Sequence, residues 1–261
     1  MNNGCICCTI RGDLILSLSK LIERNKDLDG VIIESTGLAN PAPIIQIFLS
    51  EQSVNYFIKL DAIVAVADAF HIDRQLVDYH ETREQIAFAD VILVNKIDLL
   101  KPGGLEKVIA NIKNINPDAK LIKTVNCDAP IEELLNIDAF NLDHMLGLNQ
   151  LPVKADHKHL HNSDIKSVSL ISDIPLDIDK FQSWFGGLLQ TCGQDILRSK
   201  GIIEFAGIDE RYVFQGVNMN MDASPMGAWP NNCQRTSRIV FIGRNLDRER
   251  LNEGFKSCQV N

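Results

Sequence analysis

The sequence carries no long run of basic residues and no uninterrupted apolar stretch long enough to cross a bilayer. Its opening residues lack the charged-then-apolar pattern of a signal peptide. With a net charge of −8, these absences argue against nucleic acid as the main partner and against a membrane protein. A cytoplasmic protein is the expectation. Cysteine is sparse outside one short stretch, and the total of seven is odd. That excludes a regular disulfide framework and fits reduced thiols. At 261 residues and 45% hydrophobic, the chain can bury a proper core in one or two domains.

What the sequence does have begins at Asn3-Gly4-Cys5-Ile6-Cys7-Cys8-Thr9. Thiolates are soft ligands that hold Zn(II) or Cu(I) in sets of three or four. In a near-extended segment Cys5 and Cys7 share one face and Cys8 takes the other, so a common ion requires a bend, which Gly4 permits. A fourth ligand comes from elsewhere or is exchangeable. Two other readings stand beside this one: a chance cluster of small buried side chains, and thiol redox chemistry at Cys7 and Cys8, which needs a depressed thiol pKa.

Leu14, Ile15, Leu18, Leu21 and Ile22 then recur at helical spacing, with Asp13 in the first turn and an end near Asn25. Gly30 to Glu34 reads as a short strand, apolar on both faces, that runs into Ser35-Thr36-Gly37. A carboxylate closing a buried strand, with glycine three residues on, is the layout in which Glu34 orients water and the Gly37 N–H approaches a terminal phosphate. A strand followed by an ordinary polar turn has the same pattern. A helix is expected from Pro41 to Leu49, a strand from Asp61 to Asp68, and helical signal from Tyr79 to Phe88. His71, just past the second strand, is either a loop ligand or structural.

The apolar run Ala89 to Val94 leads into Asn95-Lys96-Ile97-Asp98, ahead of a helix over Leu105 to Ile115 and a strand over Ala119 to Thr124. Asn-Lys-x-Asp after a strand is a guanine-recognition element. Asp98 accepts from the ring N–H and exocyclic amine of guanine, Asn95 contacts the base edge and braces the loop, and the Lys96 stem lies over the ring. Such a site rejects a base that leaves its polar groups unpaired. Strands alternating with helices indicate a parallel sheet flanked by helices.

Taken together, the Cys5-x-Cys7-Cys8 segment, Glu34 to Pro41 and Asn95 to Asp98 resemble the CobW-like family of P-loop GTPases over essentially the whole chain. The resemblance implies a GTP-dependent metallochaperone or metal-insertion protein, most often for zinc, that delivers Zn²⁺ to a metal-requiring client protein. It assigns Cys5, Cys7 and Cys8 to metal, Glu34 and Gly37 to the Walker B and switch region, and Asn95, Lys96 and Asp98 to the base. The family's Gly-x-x-x-x-Gly-Lys-[Ser/Thr] does not occur in these residues. That loop holds the phosphates, and its hydroxyl holds Mg²⁺. The chain is therefore expected to be truncated at its N-terminus relative to the family, to bind GTP and Mg²⁺ weakly, and to hydrolyse GTP negligibly. In this fold the missing strand lies beside the one ending at Glu34, so exposed strand edges and self-association are expected. The competing reading is a metal-binding or partner-binding module without nucleotide chemistry.

Residues 1–148 are read as this truncated GTPase domain and 149–164 as a linker. Within the linker, His157, His159 and His161 either bind Zn, Ni or Co weakly or are simply solvated. Residues 165–261 are read as a small antiparallel α+β domain. Its strands are expected at Ser167–Ile171, Gly201–Ala206, Tyr212–Asn218 and Arg238–Ile242, with helices over Leu176–Cys192 and Asp247–Lys256. Trp184 and Trp229 are read as packing residues, and Cys192, Cys233 and Cys258 as too scattered for a ligand set.

Overall fold

Two sheets with helices between and around them organise the chain. The computed structural model describes residues 6–25, 27–37, 39–50, 54, 56–139, 165–230 and 233–260, with backbone alone for residues 6–11 and 222. Strands β1 (Val64–Asp68), β2 (Val91–Asn95) and β3 (Lys120–Lys123) form a parallel sheet in the order β1-β2-β3. The central strand, Val91-Ile92-Leu93-Val94, is buried throughout, as a parallel strand covered on both faces must be. Helices α1 (Ile6–Arg24), α2 (Ala42–Ser50), α3 (Ile72–Asp78), α4 (His80–Phe88) and α5 (Gly104–Ile115) surround it.

The second sheet is antiparallel, ordered β4 (Ile165–Ser172), β8 (Ser237–Arg244), β5 (Ile196–Ile203), β6 (Glu210–Val217), β7 (Asn220–Ala228). Helices α6 (Ile178–Cys192) and α7 (Arg248–Ser257) cover one face; Asp177 and Asp247 cap them by accepting from the N–H of Lys180 (3.0 Å) and Arg250 (3.1 Å). The alternation along β8 explains how both faces are buried. Ile239 and Phe241 join Phe181, Phe185, Leu251 and Phe255 beneath the helices, whereas Val240 and Ile242 face Ile86, Phe88 and Ile112 of the first unit. Trp184 packs in the helix-covered core, its ring 5.7 Å from Phe181 and 5.8 Å from Phe255. Gly254 is required there, since a Cβ would fall 2.0 Å from the indole nitrogen.

Three expectations are corrected. Residues 30–34 form no strand: Ile32 is 81% exposed and the backbone from 28 to 36 lies outside both sheets. Among the described residues no strand pairs with the outer edge of β1, where Val66 is 60% exposed, so the segment lacks the neighbour that a doubly covered parallel strand requires. Secondly, Cys7 and Cys8 lie on helical backbone, because α1 starts at Ile6 rather than near Asp13. The alternation of an extended segment does not apply to them. Thirdly, β7 is a strand although Asp222, Pro225 and Gly227 disfavour one in the sequence. It is tolerated as an edge strand, where Pro225 interrupts nothing on its open side.

Polar groups join the two units. The buried Asp90 carboxylate accepts from Arg198 Nη2, from Lys200 Nζ and from the Ile63 N–H, and Arg198 Nη1 donates to the Phe88 carbonyl. Burial works against the Asp90 charge, but Arg198 and Lys200 outweigh it and hold its pKa below the usual carboxylate range. Arg244 Nη2 donates to the buried Glu84, and Asn116 Nδ2 caps the end of α4 by donating to the carbonyls of Ile86 (2.8 Å) and Ala89 (2.8 Å). Removing one partner of a buried ion pair leaves the other charge uncompensated. Asp90→Ala is expected to cost about 3–5 kcal/mol of unfolding free energy in urea denaturation. A loss below about 1 kcal/mol would show that the cluster does not hold the units together.

Candidate functional site

The C-terminal ends of β1 and β2 lie side by side, with Asp68 in register with Asn95. Open parallel sheets build their sites at these ends, because the loops there are free to take any conformation. The Asn95 side chain is buried, and its Oδ1 accepts from the Cys127 N–H at 2.9 Å and from Thr124 Oγ1 at 3.2 Å. Its own carbonyl accepts from the Ala69 N–H at 2.8 Å. One asparagine thus ties together the loops that follow all three strands. Asn126 and Cys127 take left-handed backbone (φ 54° and 57°), which the bond to Asn95 holds in place.

Lys96 turns the chain out of β2 with φ 63°, and its exposed ammonium donates to Asp68 Oδ2 at 2.8 Å. Asp98 follows in a short 3₁₀ turn, Ile97–Leu99, with its carboxylate exposed. Asp68 also accepts from the N–H groups of Phe70 (3.0 Å) and His71 (3.2 Å) and lies 3.1 Å from His71 Nδ1. Burial disfavours its charge, but the bonds from Lys96 and His71 prevail and bring its pKa down to about 2. This pairing, with Phe70 edge-on at 4.8 Å, gives His71 a structural role. A rim of this form presents one exposed carboxylate beside fixed polar groups, the arrangement that accepts two N–H donors from a planar base.

The other predicted residues stand apart. Glu34 is exposed, and among the described residues no hydrogen bond or ion pair joins it to the Asn95–Asp98 loop. Gly37 lies in a turn closed by the Ala39 N–H to the Thr36 carbonyl at 2.9 Å. Gln85 Nε2 of α4 donates to the carbonyls of Gly37 and Ala39, each at 3.0 Å. Cys5, the side chains of Cys7 and Cys8, and His157, His159 and His161 lie outside what is described. Among the described residues no group of three His, Cys, Asp or Glu side chains is arranged to hold a metal ion. The Cys258 thiol is pushed up by burial and is poorly suited to thiolate chemistry. No helix among the described residues is long and apolar enough to cross a membrane.

Sequence reasoning missed Asp68, Thr124 and Gln85. Asp68 left a signal, an acidic residue closing an apolar strand just as Asn95 closes the next. Gln85 left none, because a half-buried glutamine on a helix has many uses.

Residues 1–123 match the family described as CobW/HypB/UreG, nucleotide-binding domain, and residues 165–259 match the cobalamin synthesis protein cobW C-terminal domain. The chain is 31% identical to the zinc chaperone YjiA of Escherichia coli, covering 98% of this chain and 80% of that protein. It is also 31% identical to the zinc-regulated GTPase metalloprotein activator 1 of Schizosaccharomyces pombe, over 95% of this chain and 68% of that protein. The zinc chaperone CobW of Pseudomonas aeruginosa is 29% identical over 94% of this chain and 71% of its own. Among solved structures, the Zn(II)-bound YjiA GTPase from E. coli superposes with a TM-score of 0.77 at 28% identity, covering 95% of this chain and 76% of that one.

Asn95→Ala leaves the Cys127 N–H without its acceptor. The expected outcome is a stability loss of about 1–3 kcal/mol together with faster hydrogen exchange at the Cys127 amide. Unchanged exchange there would show that the turn holds its shape without Asn95.

Proposed function

This chain belongs to the CobW/HypB/UreG family, and from that premise we propose that it is a zinc metallochaperone that hands Zn²⁺ to a metal-requiring client protein. The functions of its relatives support this reading, since they are zinc chaperones and zinc-regulated GTPase metalloprotein activators. Zinc is the cargo here. Three clustered thiols are a donor set suited to it, and we assign Cys5, Cys7 and Cys8 to that role. Residues 1–148, 149–164 and 165–261 are taken as the nucleotide-binding unit, the linker and the C-terminal unit. We place the chain in the cytoplasm, where its thiols stay reduced.

The observation that carries the nucleotide half is the bracing of Asn95 by Cys127 and Thr124, with Asp98 exposed beside it. A loop already held in one form loses little entropy on binding, so it favours a ligand without a prior rearrangement. Asn95, Lys96 and Asp98 are assigned to the guanine base, Gly37 to the phosphate side, and Glu34 to orienting water. Phosphate contacts carry much of the affinity for a nucleotide, and residues 1–261 hold no Gly-x-x-x-x-Gly-Lys-[Ser/Thr] to supply them or a Mg²⁺ ligand. Binding by this chain is therefore weak and hydrolysis negligible. Were the base loop idle, the chain would be a metal-binding or partner-binding module alone.

A titration of zinc-loaded and metal-free protein with a fluorescent GDP analogue separates these readings. Saturable binding that ATP fails to displace, weakened about tenfold or more by Asp98→Ala, is expected. No binding, with zinc still held and lost in a Cys5→Ser, Cys7→Ser, Cys8→Ser variant, removes the nucleotide half and keeps the chaperone half. GTP turnover at ordinary GTPase rates would refute the claim of lost hydrolysis.

Self-association is part of the same proposal. Val64 and Val66 of β1, an edge strand among the described residues, are exposed. An open apolar strand edge is a template for pairing with another chain. Sedimentation velocity is expected to give a concentration-dependent shift that Val66→Lys suppresses. Monomer at all concentrations, in wild type and variant alike, would refute it.

A further inference from the structure

Asp98 stands exposed two residues after Lys96, and its charge attracts the Lys96 ammonium. A lysine left free beside such an acid pairs with it, and the pair then occupies the oxygens that a ligand's N–H groups need. The structure directs the ammonium elsewhere. Lys96 Nζ donates at 2.8 Å to Oδ2 of Asp68, the residue that closes the neighbouring strand in register with Asn95. Asp68 cannot follow the lysine, because three further groups hold it. The N–H groups of Phe70 and His71 donate to its Oδ1, and His71 Nδ1 lies 3.1 Å from its Oδ2. An exposed ion pair is weak when both partners must be immobilised; here the acid is already fixed and only the lysine loses freedom. Burial opposes the Asp68 charge, yet the bonds from Lys96 and His71 bring its pKa to about 2, so the counter-ion is present at neutral pH. The backbone agrees. Lys96 has φ 63°, which glycine adopts freely and lysine only under strain, and a strained lysine points to a use for its side chain.

We propose that Asp68 sets base specificity as a positioning residue: it holds the Lys96 ammonium away from Asp98, whose two oxygens are then open to the ring N–H and exocyclic amine of guanine. This role rests on the assignment of Asn95, Lys96 and Asp98 to that base. Asp68 acts through Lys96, not on the base itself. The held lysine also spreads its stem at the ends of β1 and β2, where a purine ring can lie on it. Released, Lys96 would neutralise Asp98, and a base with fewer N–H donors would bind nearly as well as guanine.

The test uses the full chain with a fluorescent GDP analogue, displaced by GDP or by IDP, whose base lacks the exocyclic amine. Asp68→Asn keeps an oxygen for the Phe70 and His71 N–H groups and removes the charge that holds Lys96. Wild type is expected to favour GDP over IDP by about tenfold, and Asp68→Asn by about twofold or less. Adding Lys96→Met, which keeps an unbranched stem without the ammonium, is expected to restore the preference. A purely structural loss at Asp68 would not be repaired in that way. In the free chain, the NMR signal of the Asp98 carboxylate carbon is expected to move in Asp68→Asn and to return in the double variant. An unchanged preference in Asp68→Asn, a preference that Lys96→Met fails to restore, or a stationary Asp98 signal overturns the role of Asp68 and leaves the base assignment intact. No guanine nucleotide bound by wild type removes the base assignment and this role together.

Discussion

The buried Asp90 carboxylate is the constraint on which the arrangement of the two sheets depends. It sits where β2 begins, accepts from the Ile63 N–H ahead of β1, and takes both Arg198 and Lys200 from β5 of the other sheet. A lone carboxylate at 3% side-chain exposure could not stay charged, and two cations beside it without an acid would repel each other. Each half therefore requires the other. Apolar packing of Ile165, Leu197, Val240 and Ile242 against Phe88 and Ile112 supplies most of the contact's free energy, roughly 1.5–3 kcal/mol for each large side chain. The ion cluster contributes orientation instead, since an apolar interface alone would allow the sheets to slide.

Most of the fold could be read from the sequence because its strands are short apolar runs with clear ends. Val91 to Val94 is apolar without a break and proved to be the central parallel strand; Ile239 to Ile242 is equally apolar because the antiparallel sheet is covered on both faces. Failure came where the local pattern was right and the context was not. Val31-Ile32-Ile33 has strand composition, yet a strand exists only through its neighbours, and among the described residues none pairs with it. The reverse holds for β7, whose composition is poor and whose pairing with β6 makes it a strand regardless.

The candidate site was legible in its chemistry and not in its scaffolding. Asn95, Lys96 and Asp98 announce themselves by spacing, since few other uses place those types together after a strand. What holds them is spread widely in sequence: Asp68 lies twenty-eight residues before Lys96, and Cys127 thirty-two after Asn95. Nor does periodicity reveal that Asn116 closes the end of α4, because a buried asparagine looks like any loop residue until its carbonyl partners are known.

Helix α4 belongs to both parts of this organisation. Gln85 holds the Gly37 turn by two uncharged hydrogen bonds, one exposed and one part-buried, the adjoining Glu84 is buried against Arg244, and the Phe88 carbonyl receives Arg198. These attachments differ in strength by a physical rule. An exposed amide–carbonyl bond exchanges readily with water and is worth about 1 kcal/mol or less, whereas breaking a buried charge pair costs about 3–5 kcal/mol. The helix is thus fixed rigidly to the antiparallel sheet and loosely to the turn. When the turn moves, its bonds to Gln85 give way before the helix shifts. A signal from the Gly37 turn reaches the second sheet only if it exceeds that weak link, so any strong coupling between them needs further contacts on the turn.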